Sequence, residues 1–204
     1  AGTNDSEMIS ILINQGFDPF FPEEVLREAS LIPTEITNVE IEKRLDARKI
    51  TTFTIEPVDA KDFDDAISYE QLENGHLKIG VHIADVGHYI KEGSALDKEA
   101  LKRSNSVYLV DRVMPMLPEQ LSNVLCSLRP HEDKLAFSAF FEFNEQQEVI
   151  NSWYGKSVIH SNRRYTYEEV QEIIEGKEDQ YAHELLSINK IAKSLRAKRF
   201  KKGA

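Results

Sequence analysis

Between Thr54 and Ile67 the chain reads Thr-Ile-Glu-Pro-Val-Asp-Ala-Lys-Asp-Phe-Asp-Asp-Ala-Ile, which sets five carboxylates (Glu56, Asp59, Asp62, Asp64 and Asp65) within ten residues. Carboxylates this close raise one another's pKa unless a cation neutralises them. A hard divalent ion suits such a set, and Mg²⁺ takes a few carboxylates together with waters and substrate phosphate oxygens. The stretch is therefore a candidate metal site for phosphate chemistry. A solvated acidic turn is the competing reading. A calcium loop between helices fails on spacing: it needs acids at its first, third and fifth positions and a glycine at the sixth, and here strand-like residues flank a run without glycine. If Asp62 to Asp64 were extended, those two acids would share a face and Asp65 would point away. Convergence of all of them requires a turn, which Pro57 permits.

Other residues carry possible chemistry. Tyr108 precedes the run Met114-Pro-Met-Leu-Pro118. It is either a platform for an unpaired base, a contact that contributes about 1–3 kcal/mol, or a tyrosine at the edge of a core. His82 and His88 are potential metal ligands, but His82 falls on an alternating strand and reads as a hydrogen-bonded structural residue; Mg²⁺ also prefers oxygen. Asp85, which ends that strand, is a weaker candidate to join the acids. The single cysteine, Cys126, lies in the apolar stretch Leu121–Leu128 and can form no internal disulfide. It reads as a small buried residue of a protein in a reducing, cytoplasmic compartment. The net charge of -10 argues against a polyanionic partner, yet seven cations and no acid fall between Lys190 and Lys202. That run is a nucleic-acid contact or the solvated face of a terminal helix.

The elements that must position these groups follow from capping, periodicity and turn chemistry. A hydrophobic content of 41% and a charged content of 29% over 204 residues suit a globular chain with a substantial core. No apolar run approaches the roughly 18 residues of a membrane span, and the polar start Ala1–Met8 lacks a signal-peptide core. Residues 1–49 read as a helical segment. Asp5 or Ser6 would cap a helix Glu7–Asn14 that Gly16 ends, Pro22 would open a second over Glu23–Ala29, and Thr34 or Thr37 would cap a third. Strands are expected at 51–55, 65–71, 76–86, 135–143 and 149–158, with Asn74-Gly75 as the hairpin turn between the second and third. In the third, Leu77, Ile79, Val81 and Ile83 should take one face and Lys78, Gly80, His82 and Ala84 the other. Ser94 would cap a helix Ala95–Arg103, and two more helices are expected over 167–175 and 180–200.

Four blocks in this order resemble one family of nucleases. They are Thr54-Ile-Glu-Pro-Val-Asp-Ala-Lys-Asp-Phe-Asp-Asp-Ala66, Val81-His-Ile-Ala-Asp-Val-Gly-His-Tyr-Ile90, Arg103–Leu109 with Pro115–Leu128, and Arg164-Tyr-Thr-Tyr-Glu-Glu-Val170. The combination is similar to the ribonuclease II and ribonuclease R exoribonucleases, ribonuclease R more so. The resemblance implies a mixed α/β fold: a helical segment over 1–49, then a mixed sheet with flanking helices over 50–204, the N-terminal half of an RNB-type catalytic domain. It also implies an Mg²⁺-dependent 3′→5′ hydrolytic exonuclease that releases nucleoside 5′-monophosphates from single-stranded RNA, with no membrane and no further cofactor. By position, Glu56, Asp62 and Asp65 would hold metal, Asp62, Asp64 and Asp65 would be catalytic with Asp64 at the ribose, and Tyr108 and Tyr167 would stack on bases. Two departures bear on this. Glu56 stands where the family usually has Asp, and Val58 where it usually has an acid, which leaves a catalytically impaired RNA-binding relative as the alternative. The family's catalytic domain also extends beyond this stretch and supplies a phosphate-contacting arginine there. The chain is thus expected to be a fragment with weak or no activity of its own.

Overall fold

The structure is a computed structural model that describes residues 4–110 and 112–203. In chain order its elements are α1 (Asn4–Asn14), α2 (Glu23–Ser30), α3 (Asn38–Glu42), β1 (Leu45–Asp46), β2 (Thr51–Glu56), β3 (Asp65–Gln71), β4 (Leu77–Ala84), α4 (Val86–Tyr89), α5 (Ala95–Arg103), β5 (Val107–Tyr108), β6 (Val113–Met114), a π-helical turn (Gln120–Leu125), β7 (Asp133–Phe143), β8 (Val149–His160), β9 (Arg163–Thr166), α6 (Tyr167–Ile174) and α7 (Ala182–Lys201). They group into two compact units, one formed by the chain up to Glu35 with Val86–Cys126, the other by Ile36–Asp85 with the chain from Ser127 onward. No helix among the described residues is long and apolar enough to cross a membrane.

The first unit is mainly helical. α1 begins at Asn4, so Asp5 and Ser6 lie inside it rather than ahead of it as caps. It ends at Gly16, whose φ of +82° is the left-handed conformation that glycine adopts without strain, and Phe17 N–H reaches back to Leu12 O at 2.9 Å. α2 follows Pro22, and Ser94 caps α5 by accepting from Asp97 N at 3.2 Å. Arg103 at the end of α5 donates to Phe20 O at 2.7 Å and lies 3.9 Å from the Phe21 ring centre, which ties the approach to α2 onto α5. Cys126 is buried, as its apolar surroundings imply.

The second unit is a seven-stranded sheet in the order β1-β8-β7-β4-β3-β2-β9. β1 runs parallel to β8 and β9 parallel to β2, while the remaining pairs are antiparallel. α3 precedes it, capped by Thr37, the second of the two threonines that the sequence offers. Asn74 and Gly75 do turn the chain between β3 and β4, with Gly75 at a φ of +83°. Helices α6 and α7 cover one face. Phe53, Tyr165, Ile173 and Leu185 form one cluster, and Tyr69, Ile79, Phe143 and Ile191 the next. α7 thereby buries one stripe while its basic end stays exposed, and Lys198 reaches Gln147 O in the β7–β8 turn at 3.1 Å.

β4 alternates as expected, but burial does not follow its apolar face along the whole strand. Of its four large apolar residues only Ile79 is buried, whereas Val81 and Ile83 are 38% and 50% exposed. The buried side of its second half carries Gly80, His82 and Ala84 instead. The reason is tertiary: the helices on the Ile79 face cover only part of a central strand, and alternation cannot say how far they reach. His82 is fully buried and bridges Ser138 Oγ at 2.6 Å and Ser68 Oγ at 2.9 Å, and Ser138 Oγ continues to Ser157 Oγ at 2.5 Å. Gly80 is required beside it, because a Cβ there would stand 2.3 Å from Ser68 Oγ and 2.7 Å from His82 Nε2. His82 is therefore structural.

Burial pushes the His82 imidazole down from 6.5 to about 4. The unfolded chain binds that proton first, so the stability that His82 contributes is fully present above pH 6.5 and is lost as pH falls through 4. The loss attributable to His82 is on the order of 3 kcal/mol. Urea unfolding at pH 7 and pH 4, compared between the native chain and His82→Gln, isolates this share, and the native chain should lose that much more stability on acidification. An undiminished dependence in the variant would place the acid sensitivity elsewhere.

Candidate active site

The acidic run occupies the loop between β2 and β3. Glu56 is the last residue of β2 and Asp65 the first of β3. These strands pair only from Phe53 opposite Ile67 onward, so their ends diverge and the intervening residues form an open loop. Ala60 N–H donates to Pro57 O at 3.1 Å, which makes the turn that Pro57 permits and carries Asp59 outward. The return limb is fixed by its backbone. Phe63 N–H donates to Ser127 Oγ at 3.0 Å, Leu128 N–H to Phe63 O at 2.8 Å, and Ala84 N–H to Asp64 O at 3.0 Å.

The fold thus brings Glu56, Asp62, Asp64 and Asp65 into electrostatic range of one another. Partial burial, then the charges of Asp65, Asp64 and Asp62, push Glu56 from 4.5 up to about 7, against an opposing pull from Arg164. Desolvation followed by the charges of Asp62 and Asp65 also raises Asp64. Asp64 opens to solvent, so water offsets much of its shift, and half-buried Glu56 is the better witness to the repulsion. Among the described residues no group of three or more His, Cys, Asp or Glu side chains is gathered closely enough to hold a metal by itself. The donor set nevertheless fits a hard divalent ion. It consists of carboxylates alone, and their mutual repulsion is what such a cation removes.

β9 completes this end of the sheet. Thr166 is the register partner of Glu56 and caps α6, accepting from Glu169 N at 3.1 Å while the Glu169 carboxylate accepts from Thr166 N at 2.8 Å. Tyr167 follows at once, exposed, so this tyrosine is carried to the acidic end of the sheet. Tyr108 ends β5 in the first unit, where its side chain is also exposed. His88 lies on α4 in that unit.

Two residues change their standing. Asp85 does not join the acids: it is ion-paired with Arg44 at 2.8 Å and with Lys156 at 3.2 Å. Burial pushes its carboxyl up, but those two cations outweigh it and hold the group below its ordinary range. Arg164, which sequence reasoning placed in a block without giving it a role, donates to the loop at Pro57 O and at Val58 O, the latter at 3.0 Å. No short-range pattern signals that contact, because more than a hundred residues separate the partners.

Comparison with known proteins gives one family. The RNB domain profile matches residues 44–204. Ribonuclease R 1 of Lactococcus lactis is 46% identical over 172 residues, covering 84% of this chain and 21% of that protein. Ribonuclease R of Thermotoga maritima is 47% identical over 189 residues, covering 90% of this chain and 27% of that protein. Among solved structures, Mycoplasma genitalium RNase R in complex with ribose-methylated single-stranded RNA superposes with a TM-score of 0.88 at 29% identity, covering 100% of this chain and 33% of that one. The chain spans about a quarter of the length of these curated relatives.

Proposed function

Because this chain belongs to the RNB domain family, we propose that it carries the metal-binding part of a 3′→5′ hydrolytic exoribonuclease that releases nucleoside 5′-monophosphates from single-stranded RNA. Residues 50–204 would be the first part of the catalytic domain and residues 1–49 a segment preceding it. The observation that carries the reading is the loop at the divergent ends of β2 and β3 that brings four carboxylates together, where burial and then the charges of Asp65, Asp64 and Asp62 drive Glu56 up to about 7.

Glu56, Asp62 and Asp65 would hold Mg²⁺, and Asp64 would meet the ribose of the nucleotide being released. A bound Mg²⁺ would activate water and offset charge on the scissile phosphate. Tyr167, at the same end of the sheet, and Tyr108 offer ring faces for base stacking, which is tolerant of sequence and suits a degradative enzyme. A cytoplasmic site of action accords with the lone buried thiol of Cys126.

The test uses the full protein and a single-stranded RNA labelled so that its released mononucleotides can be followed. Nucleoside 5′-monophosphates should appear with Mg²⁺ and vanish with chelator, and Asp64→Asn should abolish them. Equal rates for the native and Asp64→Asn proteins would defeat the reading. Glu56 favours a second reading, an RNA-binding relative of impaired catalysis, since its extra methylene displaces a carboxylate in a site of strict geometry. A large gain in turnover with Glu56→Asp would show that this methylene limits an otherwise intact site, whereas RNA binding without turnover in both forms would favour the second reading.

A further inference from the structure

We propose that Arg164 is a positioning residue that holds both limbs of the acidic loop in the arrangement that binds the divalent ion. The proposal rests on the metal reading of the acids given above. Arg164 lies on β9 opposite Thr54, two residues before the partner of Glu56. Alternate residues of a strand share a face, so Arg164 projects on the Glu56 side of the sheet end. Its Nη2 donates to the carbonyls of Pro57 and Val58, where the loop leaves β2. The same guanidinium stands 5.7 Å from the centre of the Phe63 ring, where the loop returns toward β3. Phe63 is the residue between Asp62 and Asp64, and its own backbone is tied to Ser127 and Leu128. One cation therefore spans the departing and returning limbs that carry the acids.

Arginine suits this task as lysine does not. A planar fork can donate in its own plane while its face lies against an aromatic ring, and an ammonium is a point charge without a stacking face. Among the described residues the fold does not fully satisfy the group that it recruits, because Arg164 Nε is buried and finds no acceptor there. Such a residue acts through the carboxylates it arranges, as an outer partner of the metal.

The probe is Mn²⁺ alone, titrated into the native chain, Arg164→Met and Arg164→Lys, with amide hydrogen exchange of residues 58–65 measured in each. Arg164→Met should weaken Mn²⁺ binding at least about 10-fold, the range found when outer partners of a metal site are lost. Loop exchange should quicken while the β4 and β7 amides keep their protection. Arg164→Lys, which keeps the charge and loses the fork, should stay nearer to the Met variant than to the native chain. Should Arg164→Met lose β4 protection, Arg164→Lys decides, since weaker Mn²⁺ binding at intact β4 protection supports the proposal. Native Mn²⁺ affinity in either variant, or native loop exchange in Arg164→Met with β4 intact, overturns it. A native chain that binds no Mn²⁺ overturns the metal reading of the acids and the proposal with it, whereas Mn²⁺ binding that ignores Arg164 overturns the proposal alone.

Discussion

Replacing Asp65 by Asn is expected to weaken Mg²⁺ or Mn²⁺ binding by on the order of 100-fold, since loss of outer partners alone costs 10–100-fold, and at the same time to stabilise the metal-free chain at neutral pH. The two effects have one cause. Asp65 is the largest charge contribution to the rise of Glu56 from 4.5 to about 7. A carboxyl raised in the folded state binds its proton before the unfolded chain does, so the stability that Glu56 contributes to the metal-free chain is lost as pH rises from 4.5 to 7. Removing the neighbouring charge relaxes Glu56 and shrinks that loss, but it also removes one of the proposed ligands. Functional sites often trade stability for activity in this way. Thermal unfolding across this pH window, in chelator and in excess Mg²⁺, reads both effects. A merely solvated acidic turn would show no Mg²⁺ stabilisation in the native chain and none to lose in the variant.

Arg44→Met should be the most destabilising single change among the ion pairs. The Arg44 side chain is 1% exposed and contacts Asp85 at 2.8 Å and Glu40 at 2.7 Å, and the Asp85 side chain is only 8% exposed. Breaking a buried pair costs about 3–5 kcal/mol, because the remaining charge is left uncompensated in a poorly solvating interior. For a chain of this size that corresponds to roughly 10 °C or more in melting temperature. Lys156, half exposed, still faces Asp85 at 3.2 Å and recovers part of the loss. Replacing both partners, Arg44→Met with Asp85→Leu, should therefore be milder than Arg44→Met alone. Because Asp85 is committed to these cations, Asp85→Asn should leave Mn²⁺ affinity within about twofold while lowering the melting temperature. A metal affinity that collapsed with Asp85→Asn would return that residue to the acidic cluster.

These two residues also mark how far local sequence reaches. Signals that act over a few residues came through. Ser94 and Thr37 cap the helices they precede, Gly16 ends α1, Asn74-Gly75 turns β3 into β4, and β3 runs over the residues its composition suggests. Each depends on a side chain's own geometry or on hydrogen bonds to near neighbours, so no distant partner is needed. The acid run was legible for the same reason. Carboxylates crowded into a few residues repel one another wherever the chain goes, and a pattern of four blocks identified the family.

What the sequence left open lay in contacts between distant segments. Asp85 and Asp65 both stand at strand ends and are chemically alike, yet one is neutralised by Arg44 and Lys156 while the other adds to the repulsion on Glu56. Val81 and Ile83 follow the same alternation as Ile79, but only Ile79 lies beneath α7. β9 and the π-helical turn were not foreseen, and β9 is held by its parallel register with β2. The sequence by itself determined that a dense set of hard oxygen donors exists and that strands bracket it. Tertiary structure decided which acids are paired with cations, how the loop is clamped by Arg164, and which strand faces are covered, because charge pairing and burial depend on through-space neighbours that pairing of remote strands brings together.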